Sequence, residues 1–358
     1  MSYKILVGSY TDRITTLAFD PDRKTLQVLS TVQAGQSPSW IAQHPTDKSL
    51  IFATNEVEDG KIQLFRLAKD GRLTFLEECS SGGALPANLG VSEDAVVVAN
   101  YMGSSILEVP LSATSPYLQQ RRQDPITFEG KGPNKSRQES SHPHQVILRH
   151  GTQKEILVPD LGADKIWRLT EGDGGKWSVA GSIDFVPGSG PRHAVIHDNI
   201  IYTALELTNE VASHIFTERP GKSIPLGSLS SLPQGAKPEN LLAEILISDS
   251  TPLHPIPLLY VSNRNEGPPG GDSIAIFTLH QHTLLYEFDG ESQFKLVNSV
   301  ATGLHHLRGM SIGGNDGRYI IAGGVNGGGI KVFERVGKSL SVVASTEAVV
   351  KPTSFLWV

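Results

Sequence analysis

A repeat constrains this chain more than any single motif does. Each copy begins with a Pro or polar pair and a short apolar strand. A turn, a second strand ending near a small or polar residue, and a third alternating strand follow. The pattern runs from Pro38 (PSWIAQHPTDKSLIFATN), Pro86 (PANLGVSEDAVVVANY), Pro143 (PHQVILRHGTQKEILVPD) and Pro191 (PRHAVIHDNIIYTALE), and again from Leu242 and His306. Self-similarity at such a period marks stacked or radial architectures. The chain ends supply a further copy in two pieces. Residues 4–19, KILVGSYTDRITTLAF, read as second and third strands without a first, and PTSFLWV from Pro352 reads as a first strand with nothing after it. Seven units in 358 residues is roughly 51 each, near the 40–50 of a four-stranded propeller blade. The expected fold is therefore all-β: a seven-bladed β-propeller, a single domain over 1–358, with one blade closed by the N- and C-terminal strands. Two β-sandwiches would need a linker, and no shift in composition supplies one. Polar stretches near 112–141 and 217–241 read as loops between blades.

Composition narrows the function classes. The 36 Gly and 22 Pro punctuate many short strands and are too many for a helical protein. A formal charge of −6 argues against a nucleic-acid binder, which would carry a basic stripe. The one cysteine, Cys79, allows no intramolecular disulfide and has no activating neighbour in sequence, so it reads as inert. The N-terminal MSYKILVG enters a strand at once, without the pattern of a secretory signal. No apolar run approaches the roughly 20 residues needed to span a bilayer. A cytoplasmic monomer is expected, because closing a propeller already uses the sheet edges. Neither H-E-x-x-H nor paired C-x-x-C occurs, so no metal or cofactor is expected. There is no G-x-S-x-G elbow, and GGVNGGGIKVF lacks the Lys-Ser/Thr and helix of a phosphate loop.

In a propeller, equivalent positions of the copies converge on a central channel. An early position carries His144 and Arg192, with Asn88 and Arg308 at comparable places. A later position, after the second strand, carries Tyr101, Asp160, Glu206 and Arg264. One channel end thus gathers His144, Arg192, Glu206, Arg264 and Arg308, with Glu244 near. Converging guanidinium forks imply an anionic ligand. A histidine and a carboxylate beside them are the usual acid–base partners. The plainer alternative is that Arg and Glu of adjacent blades pair to satisfy strand ends. His142 reads as structural, His193 as turned away from Arg192, and His193, His197, His305 and His306 as packing or surface residues.

The stretches RQESSHPHQV, GSGPRHAVIH, YTALELTNEV and YVSNRNEGPPGGDSIAIFTL closely resemble the seven-bladed propeller lactonase family. That family contains propeller-type 6-phosphogluconolactonases and the fungal 3-carboxy-cis,cis-muconate cycloisomerase. The resemblance runs almost end to end. It implies a catalytic His144 in HPHQV, arginines Arg192 and Arg264 in GPRH and VSNR, and a carboxylate Glu206 in ALELTNEV. Arg308, Glu244, Asn88 and Tyr101 are the expected substrate contacts. The implied reaction is hydrolysis of an anionic sugar-acid lactone, with His144 assisted by Glu206. A lactonising cycloisomerase and a non-enzymatic propeller scaffold remain open. Departures from the family are the extended NEGPPGGDS, the insertion HQHTLLYEFDGES and the 217–241 loop.

Overall fold

The computed structural model describes residues 2–150, 154–217, 220, 223–233, 240–267, 270–279 and 294–358. The insertion at 280–292 and parts of 217–241 and NEGPPGGDS lie outside them. Among these residues the chain is strands and turns, with two single 3-10 turns, and no helix is long and apolar enough to cross a membrane.

The strands form seven antiparallel blades. Blade one takes Pro352–Trp357, Tyr3–Ser9, Arg13–Asp20 and Thr25–Gln33, innermost first. Its seam pairs Ile5 with Trp357, Leu6 with Leu356 and Val7 with Phe355, so the last strand of the sequence does lie beside the first. Blades two to five begin with Ile41–Gln43, Pro86–Val91, Ile147–His150 and Pro191–His197. Blade six begins with Leu241–Ile247. Its fourth strand runs on as the 20-residue Phe294–Gly313 and becomes the first strand of blade seven. The two polar stretches read as loops each hold an outer strand: Ile126–Thr127 closes blade three and Ile224–Ser230 closes blade five. Their polarity reflects an outermost strand with one face in water, which leaves little apolar alternation to detect.

The core is divided among the gaps between blades. Successive side chains of a strand point to opposite faces, and in Tyr3–Ser9 that sends Ile5 and Val7 against blade seven while Leu6 packs against Ile51 and Phe65 of blade two. Each of the other gaps has its own apolar cluster built the same way. The second strands, buried on both faces, are continuous apolar runs such as Leu50–Asn55 and Ala95–Asn100.

Where each inner strand starts, a bulge aims one residue at the axis. The register slips at Pro86/Asn88, Pro191/His193 and Leu307/Gly309, leaving Ala87, Arg192 and Arg308 as the extra residues. Such a bulge re-aims a side chain that regular pairing would turn into a blade face. Two residues earlier the backbone takes a left-handed conformation at Ser37, Leu85, Gly190, His306 and Lys351. The carbonyl there accepts from the residue ending the second strand, as in Glu56 N to Ser37 O (2.9 Å), Tyr101 N to Leu85 O (2.9 Å) and Glu206 N to Gly190 O (2.8 Å). Pro precedes the aimed residue in five blades (Pro38, Pro86, Pro143, Pro191, Pro352), which a strand's first position tolerates because no ladder bond is lost.

Candidate active site

The bulge register defines two tiers. The inner tier is Ser39, Ala87, His144, Arg192, Ala243, Arg308 and Thr353, one residue per blade. Ser39, Ala87, His144, Arg192, Arg308 and Thr353 line one cavity with Trp40 and Glu56. The outer tier, at the ends of the second strands, contains Tyr10, Glu56, Tyr101, Leu161, Glu206 and Arg264. The expected pairing of His144 with Arg192 and Arg308, and of Tyr101 with Glu206 and Arg264, is therefore one of true equivalents.

Two expected positions are one residue out of register. Asn88 faces the next blade, where its Oδ1 accepts from Val146 N at 2.9 Å; Ala87 holds the channel place. Asp160 is wholly buried and accepts from His142 N (2.7 Å), Gly162 N (3.0 Å) and Trp167 Nε1 (2.8 Å), a structural hub, while Leu161 takes the rim. Apolar alternation misplaces Asn88 because the bulge inserts one residue, and Asp160 because the next place is the apolar Leu161.

Glu206 is gripped from three sides. Arg192 Nε and Arg264 Nη2 lie 2.9 and 2.8 Å from Oε2, and Arg137 pairs with Oε1. Burial pushes the carboxyl up, but Arg264, Arg192 and Arg137 more than reverse this and hold it down at about 2. A group so firmly ionised anchors arginines and does not carry protons. Arg192 also donates to Ala243 O at 2.7 Å, and Arg264 to Leu242 O at 3.2 Å. Arg308 sits 3.8 Å from Glu56 and 5.3 Å over the Tyr10 ring, and Tyr10 donates to Glu56 at 3.3 Å.

His144 is 4 % exposed and meets a different partner from the one expected. Its Nδ1 lies 3.2 Å from Nε2 of His193, whose Nδ1 lies 2.7 Å from Glu244 Oε1. His193 is thus part of the site's wall rather than packing or surface, and Glu244 stands behind it instead of facing a substrate. Burial first, then the charges of Arg192, His193 and Arg308, hold the His144 pKa well below the ordinary imidazole value, so the ring is a neutral base. Tyr101 packs edge-on to His144, with ring centroids 5.5 Å apart. His142 is structural as expected: it stacks on Tyr101 at 4.4 Å and bonds Tyr101 O at 3.0 Å. His306 is nearer the site than expected, 3.4 Å from Arg264 Nη1, and burial with Arg264 and Arg308 lowers its pKa to about 4. Arg137, the first residue of RQESSHPHQV, also belongs to the site, and it sits in a stretch with no repeat to place it. No group of acidic, His or Cys side chains among the described residues could hold a metal ion.

Similarity to known proteins runs along nearly the whole chain. A family model described as lactonase, 7-bladed beta-propeller matches residues 4–357. A probable 6-phosphogluconolactonase of Arthroderma benhamiae is 30 % identical, covering 98 % of this chain and 88 % of its own. The 6-phosphogluconolactonase of Bacillus subtilis is 26 % identical over 97 % and 95 %. The solved structure of a putative 6-phosphogluconolactonase from Bacteroides fragilis superposes with a TM-score of 0.83 at 25 % identity, covering 100 % of this chain and 98 % of the other. From its blades to its channel, this chain belongs to the seven-bladed β-propeller lactonase family.

Proposed function

We propose that the protein hydrolyses the lactone of an anionic sugar acid, with a 6-phosphogluconolactone-type compound as the leading substrate. The observation that carries this reading is a neutral, buried imidazole set among excess arginines. Among the described residues Arg137, Arg192 and Arg264 pair with Glu206 and Arg308 pairs with Glu56, while the Glu244 carboxylate acts on Arg192 from behind His193, so four guanidiniums meet three carboxylates and positive charge stays in excess. That surplus suits a phosphate or carboxylate on the substrate, and the names carried by the relatives agree with it.

His144 takes a proton from water as the water oxygen bonds to the lactone carbonyl carbon. Arg192, buried and fixed by Glu206 and Ala243 O, stabilises the developing oxyanion where water is scarce. When the tetrahedral species collapses, the bond between the acyl carbon and the ring oxygen breaks. The leaving oxygen recovers the proton from His144, giving the open hydroxy acid. Arg264 and Arg137 at the rim hold the anionic group. Glu56 Oε2 is buried, meets no hydrogen-bond donor among the described residues, and lines the same cavity, so it offers an acceptor to a sugar hydroxyl.

A pH-stat or NMR time course on the purified protein tests the reading. The panel is 6-phosphogluconolactone made in situ, unphosphorylated sugar lactones and 3-carboxymuconate, each beside His144→Ala. Opening of the phosphorylated lactone faster than its spontaneous rate, abolished by the substitution, is the expected result. Cyclisation of the muconate, or turnover of nothing by folded protein, overturns it.

A further inference from the structure

The hydrogen-bond chain behind His144 leads away from the channel, through His193 to Glu244, across three consecutive blades. We propose that His193 and Glu244 are positioning residues that lock His144 in the tautomer carrying its proton on Nδ1, leaving the Nε2 lone pair bare toward the channel. This inference rests on His144 acting as the base of the reaction proposed above.

The argument is one of donors and acceptors. The Glu244 carboxylate only accepts, and its Oε1 already takes the Ile245 N–H at 3.1 Å as well as the bond from His193. His193 must therefore donate from Nδ1. A neutral imidazole has one donor and one acceptor, so the other nitrogen of His193, Nε2, accepts. Among the described residues its hydrogen-bond partner there is His144 Nδ1 at 3.2 Å, which must then carry the proton. Protonation of His193 would make both of its nitrogens donors and reverse the tautomer of His144. The surroundings oppose that charge: His193 is 1 % exposed and packs edge-on to Trp40 at 5.5 Å, and burial lowers its pKa. Arg192, from the same strand, and Arg308 add to that opposition, while Glu244 counters it.

The equivalent position in neighbouring blades shows that a plain structural clip would use another residue. Asn88 in blade three accepts from Val146 N at 2.9 Å, and Gln145 in blade four accepts from Ala194 N at 2.7 Å. Each amide pins the backbone of the next blade. In blade five the same position is an imidazole turned to a second imidazole, and the backbone clip is given up.

Histidine-labelled protein read by long-range proton–nitrogen correlation tests this directly, with the His144 signals assigned by their loss in His144→Ala. The expected spectrum of the ligand-free protein shows His144 protonated on Nδ1. In His193→Phe the proton moves to Nε2, and kcat falls about tenfold or more, as when a catalytic histidine is left in the wrong tautomer, while KM stays within about twofold. Glu244→Ala produces the same two changes, and Glu244→Gln, which keeps an acceptor, restores part of both. A wild-type His144 protonated on Nε2 overturns the proposal, as does a folded His193→Phe with unchanged tautomer and kcat. The spectrum needs no substrate, so it separates failure of this chain of bonds from failure of the lactonase reading, which would appear as an inactive wild type.

Discussion

Arg192, Glu206 and Arg264 at the channel and Arg149, Glu155 and Arg168 at the opposite end of blade four are built from the same parts. Glu155 holds Arg149 at 2.9 Å and Arg168 at 2.5 Å, and both guanidiniums lie over Phe216 of blade five, 4.1 and 4.3 Å from its centroid. The phenyl face absorbs the surplus charge by a cation–π contact, and the cluster serves as an inter-blade fastening. At the channel Arg308 alone of the four arginines lies over a ring, that of Tyr10, among the described residues; Arg192 and Arg264 have none, Arg137 adds to the surplus, and a neutral histidine stands alongside. The same Arg–Glu–Arg parts make a fastening where their charge is satisfied within the protein and a candidate anion site where it is not.

Matched substitutions can break this comparison. Arg192→Met should lower kcat/KM about 10²–10³-fold, the usual loss of an oxyanion donor, with little change in Tm because Glu206 keeps Arg264 and Arg137. Arg168→Met should do the reverse: it removes a wholly buried guanidinium and lowers stability, by less than the about 3–5 kcal/mol of a buried charge left without any partner because Glu155 keeps Arg149, while kcat/KM of the folded fraction stays near wild type. Denaturant melts and kinetics on the two variants decide it, and equal effects on both would erase the distinction.

Glu206→Gln should lose about 3–5 kcal/mol of stability, because three cations then crowd without a counter-charge. The wild-type protein carries the matching pH signature. A carboxyl depressed from 4.5 to about 2 contributes stability that is fully present above 4.5 and drains away as pH falls towards 2. Acid titration of chemical stability should show that drain in the wild type and a shallower one in Glu206→Gln.

Arg137→Ala sharpens the difference between rim and wall. If Arg137 holds the substrate's anion, KM for a phosphorylated lactone rises about tenfold while kcat and the unphosphorylated lactone are little affected. The smallest effect is on pH. With the His144 pKa lowered, the base remains unprotonated as pH drops through 6.5, so the acid limb of kcat/KM should lie below that value. An inflection at or above 6.5 would mean that His144 is not the titrating base.

The blade count, the split blade and most of the channel residues were legible because each copy repeats the same Pro-led strand, and equivalence in the repeat means convergence in space. The errors came where one residue matters. Asn88 falls one place off because a bulge adds a residue that polarity alone does not reveal, and Asp160 because the polar residue that closes its strand draws the count while the next place is the apolar Leu161. The packing-or-surface reading of His193 fails because alternation gives direction relative to its own strand and is silent about the neighbouring blade, where His144 lies. Arg137 reaches Glu206 from a segment 69 residues earlier, and no period links the two.

The seam between Pro352–Trp357 and Tyr3–Ser9 also has a temporal side. During synthesis the strand that completes blade one, and that brings Thr353 to the cavity beside His144 and Arg192, emerges after all the other described strands. Until it docks, Tyr3–Ser9 presents a bare edge to passing strands and the ring is open, so a nascent chain is at once sticky and inert. Completion of the channel in this protein therefore waits on Pro352–Trp357, and a chain cut short inside the seventh blade has no finished channel.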